Sequence, residues 1–223
     1  MHMSNPGHIA QGLSARVLDR FMRRLIDPAL DQAGRSLGSR GVSADALTFA
    51  GLGAGLAAAL CMALRLDVAA LVLFLGNRLL DGLDGAVARA TARTDRGGFL
   101  DIVLDFAVYG AVPLAFALRD PAANAIPAAV LLFAFHVNGA SFLAFAAVAA
   151  KRGLDGAAYP DKSIYFTAGL AEGTETILFF AAMILWPGAF PLLAYAFAGL
   201  TLMSAVARIA VAWHAFRDYG DNA

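Results

Sequence analysis

Ala46 to Leu64 passes without a charged residue, and Pro121 to Ala150 does so over a still longer stretch. The hydrocarbon core of a bilayer is about 30 Å thick, and about 20 mostly apolar residues cross it as one helix. Both stretches meet that requirement. Four more segments come close to it: Val68 to Leu80, running on toward Arg89; Phe99 to Leu118, containing Asp101 and Asp105; Ile164 to Trp186, interrupted by Glu172 and Glu175; and Phe190 to about Trp213. Gly, Ala and Leu dominate and few stretches alternate with period two, so helices are favoured over a barrel. The expected fold is all-α: a polytopic membrane protein of six transmembrane helices.

Composition agrees. Hydrophobic residues are 60% of the chain and charged residues 15%, whereas soluble domains carry about a quarter charged. Disorder is excluded, because disordered chains are polar and charge-rich. A disulfide-stapled scaffold is excluded because Cys61 is the only cysteine. A net charge of zero gives no support for a nucleic-acid partner.

Residues 1–40 lack an apolar run followed by a small-residue cleavage site, so no signal peptide is expected. Ser14 to Leu37 reads instead as an amphipathic helix lying on the membrane. Val17, Phe21, Leu25, Leu30 and Ala33 share its apolar side, opposite Arg16, Arg20, Arg23, Arg24 and Asp27. Arg and Lys concentrate before the first span, between spans two and three, between four and five, and at the end of the sixth. The other side has only Arg65 and Arg119, each near an aspartate. Both termini are therefore expected in the cytoplasm, in a bacterial inner (plasma) membrane. Residues 1–42 form a tail with the interfacial helix, and 43–223 form the membrane domain.

Acids inside apolar spans are costly and mark function. Asp81, Asp84, Gly85 and Ala88 fall at i, i+3, i+4 and i+7, on one helical face. Gly97, Asp101 and Asp105 share a face of the next helix at i, i+4 and i+8. The two spans are antiparallel and joined by a short cytoplasmic loop, so the four aspartates converge. Four carboxylates with no internal cation to balance them require positive charge, and all-oxygen ligation suits magnesium, manganese or calcium. Gly85 and Gly97 let a bulky group approach the backbone. Arg89, at the helix end beside the acids, is placed to take a phosphate.

The run Asp81-Gly82-Leu83-Asp84-Gly85-Ala86-Val87-Ala88-Arg89, then Gly97, Asp101 and Asp105, resembles the signature of CDP-alcohol phosphotransferases. That signature is D-x2-D-G-x2-A-R, a spacer, then G-x3-D-x3-D, and every fixed position is met. The resemblance implies a homodimeric membrane enzyme with two divalent metal ions, magnesium foremost and manganese as an alternative. It implies transfer of a phosphate-bearing moiety from a CDP-linked alcohol to an acceptor hydroxyl, with release of CMP; CDP-diacylglycerol fits as a lipid donor. Asp81, Asp84 and Asp101 would then be metal ligands. Asp105 would share in metal binding and take the acceptor's proton. Gly85, Ala88, Arg89 and Gly97 would line the CDP pocket.

Beyond the signature, Glu172, Glu175 and Thr176 share one face of the fifth span, about 14 Å along it for Glu172. They are candidates for the acceptor site, against interhelical hydrogen bonding. His136 and Asn138 are expected to hydrogen-bond in the core. The Gly51/Gly55 and Gly169/Gly173 pairs read as close-packing steps. Arg93, Arg96, Lys151, Arg152 and Lys162 are cytoplasmic cations near lipid headgroups. Two alternatives stand beside a transferase: a divalent-metal transporter, disfavoured because the outer halves of spans two and three are apolar, and a hydrolase of the same donor.

Overall fold

A computed structural model describes residues 26–152 and 173–217, and among these every regular element is helical. Helix α1 covers 26–39; α2 is Ala44–Ala63, α3 Asp67–Ala90, α4 Asp95–Arg119 and α5 Pro121–Lys151. Helix α6 is Gly173–Leu185, and a 3-10 turn at Pro187–Ala189 leads into α7, Phe190–Arg217. By length and composition, Ala44–Ala63, Asp95–Arg119, Pro121–Lys151 and Pro187–Phe216 can each cross a membrane. Helix α3 is long enough but carries Asp67, Arg78, Asp81, Asp84 and Arg89. Only the last part of the expected fifth span is described, as α6. Residues 1–25, with Val17, Phe21, Leu25, Arg16, Arg20, Arg23 and Arg24 of the amphipathic segment, lie outside the described residues.

The burial pattern is that of a protein solvated by lipid. Leu60, Val68, Val72, Phe133, Leu192 and Val206 face outward, whereas Asn77, Asp84, Asn124, Thr201, Ser204 and Arg208 are buried. In hydrocarbon, polar groups must find partners inside the bundle. Arg208, grouped in the sequence with the cytoplasmic cations, is instead buried between α5 and α7. Its Nη1 donates to Asn138 Oδ1 at 3.0 Å and to Ser141 Oγ at 2.9 Å. Asn138 thus hydrogen-bonds inside the bundle as expected, whereas His136 is exposed.

Helix α2 stands between α3 and α4 and packs on both. Small residues permit it: a Cβ at Gly55 would stand 2.6 Å from a Val108 methyl, and Gly51 offers its carbonyl to Asn77 Nδ2 at 2.9 Å. The Gly51/Gly55 step therefore packs closely as expected. At Gly173, by contrast, a Cβ would meet nothing within 4 Å, and Gly169 lies outside the described residues. The α2–α3 turn is a Schellman motif: Leu66 N–H donates to Cys61 C=O at 2.8 Å and Arg65 N–H to Met62 C=O at 3.1 Å. Arg65 takes the left-handed position, φ 64°, where glycine is usual. Its Nη2 donates to Arg119 C=O at 3.0 Å, and Arg119 pairs with Asp67, tying the ends of α2, α3 and α4.

A second group, α5 with α6 and α7, joins the first through aromatic rings. Phe180 on α6 has ring contacts of 5.8–6.0 Å with Phe74, Tyr109, Phe135 and Phe197, drawn from α3, α4, α5 and α7. Their edge-to-face geometry is the favoured one for rings at this distance. Without water to drive association, such packing is what holds membrane helices together.

Candidate active site

Local rules put the acids at facing helix ends. Thr94 caps α4, its Oγ1 accepting from Gly97 N–H at 3.0 Å, so Asp101 and Asp105 lie in the first turns of that helix. Asp81 and Asp84 lie toward the end of α3, which closes with Thr91 Oγ1 donating to Val87 C=O at 2.8 Å. The short connection from Thr91 to Thr94 makes the two ends meet.

Carboxylate oxygens from Asp81, Asp84 and Asp101 lie within 4.8 Å of one another. Asp84 is buried, and among the described residues its Oδ2 has no hydrogen-bond partner. Leaving a buried carboxylate oxygen unsatisfied costs several kcal/mol, roughly, so such an atom calls for a ligand. A hard divalent cation fits: three convergent carboxylates, all oxygen donors, one of them orphaned.

Asp105 is placed differently. Its Oδ1 accepts from Arg78 Nη2 at 2.7 Å. Arg78 also donates from Nε to Asn77 Oδ1 at 2.8 Å, lies 3.7 Å from Asp81 Oδ2, and has its guanidinium 5.3 Å from the Tyr109 ring centroid. Asn77 is itself fixed on Gly51 C=O. A chain of bonds thus runs from α2 through α3 to Asp105. The expectation that no internal cation balances the acids is overturned by Arg78, whose side chain is only 8% exposed. One guanidinium against four carboxylates still leaves a net negative site. The signal was present in the sequence, since Arg78 precedes Asp81 by three residues and shares its face.

Beside the aspartates opens a cleft of about 510 Å³, lined in part by Thr48 and by Asp84 and Asp101 themselves. Its walls include Gly85, Ala88, Arg89 and Gly97, the four residues expected around CDP, and its rim carries Arg93 and Arg96. The size is that of a ligand pocket, about 300–1,000 Å³. At Gly85 a Cβ would meet only one atom within 4 Å, Arg89 Nη1 at 3.4 Å, so the end of the Arg89 side chain lies against the backbone there. Arg89 Nη2 pairs with Asp31 of α1 at 2.8 Å, and Arg96 pairs with Asp45.

The acceptor candidates are less completely described. Glu172 lies outside the described residues. Glu175 is half-buried and Thr176 buried in the first turn of α6, and neither lines the cleft beside the aspartates.

A profile of the CDP-alcohol phosphatidyltransferase family matches residues 41–216, which include Asp81, Asp84, Asp101 and Asp105. The chain belongs to the CDP-alcohol phosphatidyltransferase family. It is 48% identical over 193 residues to the inner membrane protein YnjF of Escherichia coli, covering 86% of this chain and 94% of that protein. It is 34% identical over 85 residues to the archaetidylinositol phosphate synthase of Pyrococcus horikoshii, covering 38% of this chain and 45% of that one. The fold resembles the crystal structure of the Mycobacterium tuberculosis phosphatidylinositol phosphate synthase PgsA1 with CDP-DAG bound. The TM-score there is 0.65 at 24% identity, covering 82% of this chain and 93% of the other. This CDP-alcohol phosphatidyltransferase is therefore an integral membrane transferase of phospholipid synthesis that uses a CDP-alcohol. Divalent metals serve the family generally, and the aspartate cluster suits one.

Proposed function

We propose that the enzyme transfers a phosphatidyl group from CDP-diacylglycerol to an acceptor alcohol and releases CMP. The observation that carries this reading is the orphaned Asp84 oxygen at the junction of the three-carboxylate cluster and the cleft. One end of that cleft suits a cation and the other, with Arg89 over Gly85, suits a nucleotide diphosphate. Asp81, Asp84 and Asp101, joined by Asp105, would hold two divalent ions, magnesium first. The chemistry such ions supply when bound is neutralisation of the diphosphate and of the departing phosphate.

This chain's own residues do the rest. Gly85, Ala88 and Gly97 line the donor's side of the cleft, and Arg89 holds its phosphate by a charge-assisted hydrogen bond. Asp105 accepts the acceptor's hydroxyl proton while Arg78 fixes the carboxylate. The acceptor oxygen forms the new bond to phosphorus as the bond to CMP breaks. Acyl chains remain in lipid while the nucleotide enters from the cytoplasm.

The remaining parts of the reading rest on sequence pattern and relatives. They are six spans with both termini cytoplasmic, an inner-membrane location like that in the E. coli relative's name, and a homodimer. Glu172, Glu175 and Thr176 remain the proposed acceptor contacts. Two relatives are named for inositol phosphate products, which puts inositol phosphate first among acceptors, ahead of glycerol phosphate, inositol, serine, choline and phosphatidylglycerol. The experiment is incubation of purified protein with CDP-diacylglycerol, magnesium and each acceptor in turn. CMP together with one new lipid supports transfer; CMP with phosphatidic acid regardless of acceptor makes the protein a hydrolase.

A further inference from the structure

We infer that Asp31, on α1 and outside the family-matched segment, is a positioning residue for donor binding: it aims Arg89 into the nucleotide cleft. This rests on the reading of the cleft as a CDP-diacylglycerol site. Asp31 Oδ1 accepts from both Arg89 Nε, at 3.2 Å, and Nη2, at 2.8 Å. Two bonds to one edge of the guanidinium fix its plane. They turn the remaining nitrogen, Nη1, toward Gly85, 3.4 Å from where a Cβ would stand. That nitrogen therefore lies against Gly85 in the cleft that Asp84, Gly85 and Arg89 line together, where a phosphate would lie.

The pair holds its place because α1 is seated on α3 by contacts on both sides of Asp31. A Cβ at Gly34 would stand 2.7 Å from the Ala86 backbone, and one at Gly82 would stand 2.9 Å from a Leu30 methyl. Farther along, a Cβ at Gly38 would meet a Thr91 methyl at 2.9 Å. On α3 the seat is made by Gly82 and Ala86, which with Arg89 fall at i, i+4 and i+7 on one face. Arg89 otherwise has a long flexible stem, and holding it in one rotamer before the donor arrives removes an ordering cost from binding. Asp31 and Arg89 are each about 40% exposed, 40% and 41%. Pairs of that exposure are weak, so the expected effect is about two- to fivefold.

The test is a double-mutant cycle on the full-length protein in detergent, read as CDP-diacylglycerol affinity in the presence of magnesium. Asp31→Asn should weaken binding two- to fivefold, and Asp31→Glu should restore most of it. Arg89→Gln should weaken binding about tenfold or more, as loss of a charged hydrogen bond does. In the Arg89→Gln background, Asp31→Asn should change nothing further. A structural anchor would lower thermal stability in both backgrounds and leave affinity alone. Unchanged affinity in Asp31→Asn, or an equal loss in both backgrounds, overturns the positioning role while the donor site stands. Failure of the wild-type protein to bind CDP-diacylglycerol overturns the donor site and this inference together.

Discussion

Arg78 holds Asp105 at 2.7 Å from within the same helix face that presents Asp81 to the cluster. The four aspartates of the signature are therefore not equivalent. Three gather around a common point; the fourth has one oxygen taken by a guanidinium that Asn77 and Tyr109 hold in place.

Replacing Arg78 with Met keeps the stem and removes the donors. Partners behind metal ligands and catalytic groups typically contribute a factor of 10–100, so turnover should fall by roughly that amount. Arg78→Lys should recover only part, because one ammonium cannot reach both Asn77 and Asp105 as the fork does. CMP release by the two variants at saturating donor checks this. Equal rates for Arg78→Met and wild type would show the pair to be inert.

Asp105→Asn preserves shape and removes the basic oxygen. Turnover should drop by the usual general-base factor, about 10²–10⁴, with donor affinity changed far less. Single-turnover rate and CDP-diacylglycerol affinity, measured on the same preparation, separate the two effects. A near-normal rate would move the proton to another group.

Much of this was legible in the sequence because it is local. Spacing of three and four places Asp81 with Asp84 and Asp101 with Asp105, and the short connection after Thr91 forces the two pairs together. The cleft walls at Gly85, Ala88, Arg89 and Gly97 were legible through the resemblance to the family signature that these residues carry. What escaped is long-range or disguised. Asn77 and Arg78 lie within the apolar segment Val68 to Leu80, yet they are the bracket behind Asp105. The Asp31–Arg89 pair joins residues far apart in sequence, and no periodicity announces it. Phe180 is one apolar residue among many until its four ring neighbours are seen.

Gly55→Leu should damage the bundle from its centre, since a Cβ alone would overlap the Val108 methyls. Overpacking of this kind costs about 1–3 kcal/mol. Thermal unfolding in detergent should show a lowered midpoint. Gly53→Leu, on the opposite, exposed face of α2 where a Cβ meets nothing within 4 Å, should not.

Orientation is testable at the Trp186-Pro187-Gly188 turn. A cysteine at Gly188, in a Cys61→Ala background, should react with an impermeant reagent applied from outside the cytoplasm. Labelling that requires permeabilisation would reverse the assigned topology.

The central claim is that the carboxylate cluster around Asp84 works through divalent cations. The direct measurement is CMP release from CDP-diacylglycerol with acceptor present, before chelation, in excess chelator, and after magnesium or manganese is returned. The account predicts full activity, none, and recovery in that order, with Asp84→Asn inactive throughout. Undiminished CMP release in excess chelator would contradict it.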